Sequence, residues 1–105
     1  MTKSQYNMKK YKLHLKFWVT SSQRANYLLS LQMHLKSYFS DPINVQDIDS
    51  RLRIINSYIN EFNFIVRNTK QNGACIIRKV YSNKIDVYSL TGNRVILTIS
   101  YAPHE

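Results

Sequence analysis

In the stretch KKYKLHLKFW, residues 9–18, side chains of two kinds alternate from Lys10 onward. One set is apolar and consists of Tyr11, Leu13, Leu15 and Phe17. The other set is basic or aromatic and consists of Lys10, Lys12, His14, Lys16 and Trp18. Because successive side chains of a β-strand point to opposite faces of the sheet, the stretch predicts a strand over residues 11–19. This strand has one face for a core and one basic face.

A first amphipathic helix is predicted to follow this strand. Thr20, Ser21 and Ser22 supply hydroxyl groups that can cap a helix N-terminus. The apolar residues at helical spacing after them are Ala25, Leu28, Leu29, Leu31, Leu35, Tyr38 and Phe39. The sequence SDP at 40–42 ends the helix, because a proline disfavours helical geometry in the residue before it.

The second helix has the clearest pattern in the chain, since its apolar residues recur in steps of four, three, four and three. These residues are Ile48, Leu52, Ile55, Ile59 and Phe62. Asn44 or Asp47 can cap the helix, and Asp49 complements the helix dipole in the first turn. A stripe of this kind predicts a helix packed in the core.

After this helix the period of the apolar residues changes to two. The predicted strands are FNFIVRN (62–68), ACIIRKVY (74–81), KIDVYSL (84–90) and RVILTISY (94–101). The turn signals between them are QNG (71–73), SN (82–83) and TGN (91–93). Short strands separated by such signals indicate an antiparallel meander. The predicted fold class is therefore α+β, in the order βααβββ with 62–68 as an optional fourth meander strand, and both helices pack on one face of the sheet.

The length of 105 residues predicts a single domain, 1–105, with residues 1–9 as a flexible basic N-terminal tail. No apolar run approaches the roughly 20 residues that cross a bilayer, and no apolar signal segment follows the N-terminal lysines. Cys75 is the single cysteine, which excludes an internal disulfide and favours a buried structural thiol. We therefore expect an intracellular protein without a membrane partner. The abundance of Lys, Asn, Ile, Tyr and Phe indicates an AT-rich genome.

The charge of the chain points to its partner class. Fifteen Lys and Arg residues against six Asp and Glu residues give a net charge of +9, which is typical of a small nucleic-acid-binding domain. An acidic protein partner is the alternative explanation of the same charge.

Most catalytic and metal-binding templates are absent from the sequence. The six acidic residues are scattered, and two glycines cannot build a glycine-rich phosphate loop. His14, His34 and His104 lack the spacing of metal ligands. We expect no metal and no cofactor, so an enzyme built on this chain would need neither.

Basic residues interleaved with aromatic residues are the candidate binding residues. They are Lys10, Lys12, His14, Lys16, Trp18, Arg78, Lys84 and Arg94. Basic side chains neutralise phosphates, and exposed aromatic rings stack on unpaired bases, so the expected partner is RNA with single-stranded or looped regions. The alternative is that the lysines only keep a strand face soluble and block edge pairing.

Two families resemble parts of the chain. The segment DVYSLTGNRVILTISYAPH (86–104), together with the element order, resembles the RelE-type toxins, metal-independent endoribonucleases that cut messenger RNA on the ribosome. This resemblance implies that Arg78, Lys84 and Arg94 contact phosphate and that Tyr101 or His104 moves protons during attack by the RNA 2′-hydroxyl. The segments YKLHLKFWVTSS (11–22) and IIRKVYSNK (76–84) are similar to small-subunit ribosomal protein ten.

The sequence thus supports three hypotheses. The first is a non-enzymatic RNA-binding protein, ribosomal or ribosome-associated, whose partner is ribosomal RNA or ribosome-bound messenger RNA. The second is a RelE-like endoribonuclease. The third is a phage-type protein inhibitor that binds an acidic partner through its basic face.

Overall fold

The computed structural model describes residues 9–24, 26–68, 77–80, 83–88 and 94–103. The elements in chain order are β1 (Lys10–Phe17), α1 (Asn26–Phe39), β2 (Ile43–Asn44), α2 (Ile48–Asn68), β3 (Ile77–Val80), β4 (Lys84–Tyr88) and β5 (Val95–Pro103). Short 3₁₀ turns at Ser21–Gln23 and Val45–Asp47 precede the two helices. The predicted α+β class is confirmed.

All strand pairs of the sheet are antiparallel, and the strand order is β2-β1-β5-β4-β3. The first and last strands therefore lie side by side, in a register that runs from Tyr11 opposite Pro103 to Phe17 opposite Leu97. β2 is only two residues long, which is too short for any periodic sequence signal, and the sequence did not predict it.

The core lies between the two helices and one face of the sheet. The helices contribute Tyr27, Leu28, Leu31, Leu35, Leu52, Ile55, Ile59 and Phe62. The sheet contributes Ile85, Val87, Leu97, Ile99 and Tyr101, with Leu13, Leu15 and Phe17 of β1 partly buried against them. The predicted α2 stripe is confirmed, because Leu52, Ile55 and Ile59 are fully buried. The alternation of β1 thus places its apolar residues against the helices and leaves its basic residues on the open face.

The buried stripe of α1 differs from the predicted set. Tyr27, which the sequence did not assign to the core, is buried, and its ring centroid lies 5.1 Å from that of Phe62. Leu29 and Tyr38, which were assigned to it, are 43% and 62% exposed. Once Tyr27, Leu28, Leu31 and Leu35 face α2 and the sheet, the 3.6-residue period directs Leu29 away from them. Tyr38 shares their helix face but lies in the last turn of α1, where its ring packs beside Tyr58 and stays largely exposed.

The strand predicted over 62–68 is wrong, because α2 continues to Asn68. FNFIVRN is a short apolar run, and its period cannot distinguish a strand from the end of a helix. No proline or glycine lies between Ile48 and Asn68 to end the helix. Within the described residues, the meander therefore consists of the three strands β3, β4 and β5.

One of the two predicted caps of α2, Asn44, is not formed. Asn44 precedes the 3₁₀ turn with extended backbone and makes no side-chain capping bond. Its Oδ1 instead accepts a hydrogen bond from Lys10 Nζ at 2.9 Å. Residues 1–8, the turns at 71–73 and 91–93, and Cys75 lie outside the described residues.

Candidate nucleic-acid interface

The basic residues of β1 form a row on the open face of the sheet. The β5 residues opposite Lys12, His14 and Lys16 are small, namely Ala102, Ser100 and Thr98. Lys10, His14 and Lys16 are exposed, and Lys12 is half-buried. Small neighbours leave the ammonium and imidazole groups uncovered, so the row can meet a large partner.

The charges of the row are not neutralised within the described part of the chain. Each ion-paired acidic side chain of these residues has its partner outside the row: Asp41 pairs with Arg51 at 2.9 Å, Asp49 with Arg53 at 3.0 Å, and Asp86, on the open face itself, with Lys84 at 3.8 Å. No carboxylate of the described residues lies within ion-pair distance of the row. The potential of this face is therefore positive.

Trp18 lies at the end of the row, immediately after β1. Its indole Nε1 donates a hydrogen bond to Thr98 Oγ1 at 2.9 Å, and the Lys16 ammonium lies 4.0 Å from the ring centroid. The side chain is nevertheless 52% exposed. The ring is thus held at its nitrogen and by a cation over one face, while much of its apolar area stays accessible. Such a ring can stack on an unpaired base.

A polar chain, which the sequence did not single out, supports Trp18 from the neighbouring strands. Thr98 Oγ1 donates in turn to Asp86 Oδ1 at 2.9 Å, and Lys84 Nζ lies 3.8 Å from Asp86 Oδ2. Asp86 is only 7% exposed, and a buried carboxylate requires such partners. The available signal was an aspartate inside the alternating run KIDVY, a residue type that strands disfavour.

The other predicted phosphate-binding residues have different surroundings. Lys84 shares the open face with the row, and it borders a hollow of about 340 Å³ next to Trp18. Arg94 is exposed directly before β5. Arg78 pairs with Val87 in the β3–β4 register.

Tyr101, a proton-transfer residue under the RelE resemblance, lies on the helix-covered side of the sheet. It is 7% exposed, its hydroxyl donates to the Phe39 carbonyl at 2.9 Å, and it accepts from Arg51 Nη1 at 3.3 Å. Burial raises the pKa of the Tyr101 hydroxyl, whereas hydrogen bonds from Arg51 hold the pKa of the Asp41 carboxyl below its ordinary value.

Tyr101 and Lys84 therefore lie on opposite faces, and His104 lies outside the described residues. The structure does not bring the residues of the proposed ribonuclease site together, and that hypothesis stays a prediction. In the described ranges, no group of His, Cys, Asp and Glu side chains could hold a metal ion. Neither helix, over its described residues, is long and apolar enough to cross a membrane.

Comparison with protein-family models, curated proteins and solved structures finds no match to this chain.

Proposed function

We propose that this protein is a small basic RNA-binding domain without catalytic activity, which contacts single-stranded or looped RNA and acts as a ribosomal or ribosome-associated component. The observation that carries the proposal is the row Lys10, Lys12, His14 and Lys16, which leads to the half-exposed ring of Trp18. Phosphate neutralisation and base stacking are the two contacts that unpaired RNA needs.

The geometry of the row suits a chain of phosphates. Alternate residues of a strand are about 6.6 Å apart, so the row extends over about 20 Å from Lys10 to Lys16. The net charge of +9 adds a field that attracts RNA from a distance. Trp18 then offers a surface that accepts any base, because every base has a π-face.

The test is the salt dependence of RNA affinity. Lys10, Lys12 and Lys16 are replaced together by Gln, and binding of a single-stranded oligouridine of about ten nucleotides is measured by fluorescence anisotropy at several salt concentrations. Each lost phosphate contact should remove about 0.7 from the log–log slope, so the triple variant should have a slope flatter by about 2.

A matched control removes the same charge from another surface. The variant Gln46→Glu, Arg53→Gln, Ser57→Glu changes exposed positions before and along α2 and lowers the net charge from +9 by three to +6, as the triple Gln variant does. It should keep the wild-type slope. Equal slopes for the two variants would show that only net charge matters and would remove the row as the interface. Sedimentation of the wild-type protein with a ribosomal subunit tests the proposed location.

A further inference from the structure

The outer edge of β1 is open along most of its length. β2 pairs with this edge only at Lys10 and Tyr11, and no other strand in the described ranges lies beside it. Residues 12–17 therefore have one neighbour, β5, on the opposite edge. An open edge presents backbone donors and acceptors to which another chain can pair.

The backbone groups that point outward can be identified. The Trp18 N–H donates to the Ile96 carbonyl of β5 at 2.9 Å. Because the hydrogen-bonding direction alternates along an antiparallel strand, Phe17, Leu15 and Leu13 direct their N–H and C=O groups away from β5. Three donors and three acceptors thus lie along the open edge.

This edge forms one wall of a groove, and α1 with the turn before it forms the other. The groove has a volume of about 470 Å³, and its lining includes the cations Lys12, Arg24 and Lys36. No acidic side chain of the described residues lines it. The groove therefore combines strand-pairing groups with positive charge.

Arg24 has a buried hydrogen-bond donor without a partner among the described residues. Its guanidinium carbon lies 3.9 Å from the centroid of the Phe17 ring, and its Nε is buried without a hydrogen-bond partner among the described residues. A guanidinium stacked on a ring keeps its N–H edge for an acceptor, and a carboxylate fits that edge in a bidentate manner. An anion at this point would satisfy a donor that is otherwise buried unpaired.

The backbone groups and cations of the groove favour one class of ligand over a second copy of this chain, RNA or the N-terminal residues. A second copy of this chain, paired edge to edge, would place the same cations against each other. RNA phosphates accept hydrogen bonds but donate none, and the 2′-hydroxyl and base N–H donors of RNA do not repeat at the spacing of a strand, so RNA is a poor match for the outward carbonyl groups of Leu13, Leu15 and Phe17. Residues 1–8 contain no acidic residue. An acidic peptide in extended conformation satisfies both the backbone groups and the cations.

We propose that the groove between β1 and α1 binds an extended acidic segment of another protein, which adds to the sheet as a strand and places carboxylates at Arg24 and Lys36. This site is separate from the RNA-binding function, although Lys12 and His14 border both surfaces. Arg24 and Lys36 belong to the groove alone, so their variants distinguish the two functions.

The probe is a synthetic peptide with alternating Glu and Val, of about six residues, which matches an open edge of about 20 Å. Its affinity is measured by fluorescence anisotropy. Arg24→Gln should weaken binding about tenfold, as expected for a lost charge-assisted hydrogen bond. Lys36→Gln should weaken it less, since Lys36 is exposed. Arg53→Gln is the control, because Arg53 is paired with Asp49 outside the groove, and it should leave affinity unchanged.

Two N-methylated peptides test strand pairing without altering the protein. In an antiparallel strand whose Glu side chains face Arg24, the Glu N–H groups point at β1 and the Val N–H groups point away. Methylation of the Glu amides should abolish binding, and methylation of the Val amides should leave it nearly unchanged.

Equal binding of the two methylated peptides would show attraction by charge alone and would overturn the proposal. Unchanged affinity in both Arg24→Gln and Lys36→Gln, each with a wild-type melting temperature, would overturn it as well. Oligouridine that displaces the peptide and depends on Arg24 would assign the groove to RNA instead.

Discussion

The position of Trp18 is fixed by side chains from two neighbouring strands as well as by β1, which it directly follows. β1 brings the ring to the open face, Thr98 of β5 accepts its N–H, and Asp86 of β4 holds Thr98 in turn. Alternation predicted the face on which Trp18 lies. The chain of hydrogen bonds was not predictable, because it joins residues that lie far apart in the sequence.

Replacing Trp18 by Ala should weaken oligouridine binding by about 1–3 kcal/mol, because a stacking surface is lost. The slope of affinity against salt should stay the same, since no phosphate contact is removed. Trp18→Phe is the matched variant, which keeps an aromatic face but loses the donor to Thr98, and it should fall between wild type and Trp18→Ala. A changed slope in Trp18→Ala, or unchanged affinity, would contradict stacking.

Arg24 and Tyr101 show the limit of sequence reasoning at single residues. Arg24 follows a short polar segment and has no sequence signal, yet the fold places it against Phe17. Tyr101 occurs in a segment that resembles a ribonuclease terminus, but its own register, opposite Leu13, places it on the covered face. The burial of an isolated side chain depends on the elements that pack over it.

α2 was predicted most clearly of all elements, but its C-terminal end was predicted wrongly as a strand. The spacing of the apolar residues from Ile48 to Phe62 predicted a helix and its buried stripe, because a helix that packs against a core keeps its apolar residues on one face. The same helix continues through 62–68, where local composition favoured a strand. Local preference yields to packing when a helix already has a buried face to extend.

Leu52→Ala should lower the free energy of unfolding by about 2–5 kcal/mol, the usual cost of truncating a buried aliphatic side chain. Ile54→Ala is the matched control two residues away, since Ile54 is 55% exposed, and its effect should stay within about 0.5 kcal/mol. Urea denaturation followed by circular dichroism measures both. Similar losses for the two variants would mean that α2 uses a different face in solution.

At the scale of the whole molecule, positive charge outnumbers negative by nine. Helix α2 carries its own ion pair between Asp49 and Arg53. On the open face, the one carboxylate of the described residues with an ion-pair partner, Asp86, pairs with Lys84 and not with the lysines of β1. Self-repulsion is therefore concentrated on the face that we assign to RNA. Composition alone predicted the excess charge, and only the sheet topology shows where it accumulates.

Salt should stabilise the free protein. Between about 10 mM and 150 mM NaCl the Debye length falls from about 30 Å to about 8 Å, which screens repulsion along the row. The melting temperature should rise over this range, by roughly 4–8 °C for each kcal/mol gained. The triple Lys→Gln variant at Lys10, Lys12 and Lys16 should respond less. A melting temperature that falls with salt would show that attractive ion pairs outweigh the repulsion.

The place of β5 in the sheet also determines when, during folding, β1 can form its main strand pair. β5 is the last strand in the sequence but the middle strand in space, and Trp18 and Thr98 meet although 80 residues separate them. Closing so long a loop is slow. During synthesis β1 leaves the ribosome before β5 and can pair with it only after the residues between them have emerged. The lysines of β1 lie between its apolar residues, and charges placed in this way lower the aggregation propensity of an unpaired strand.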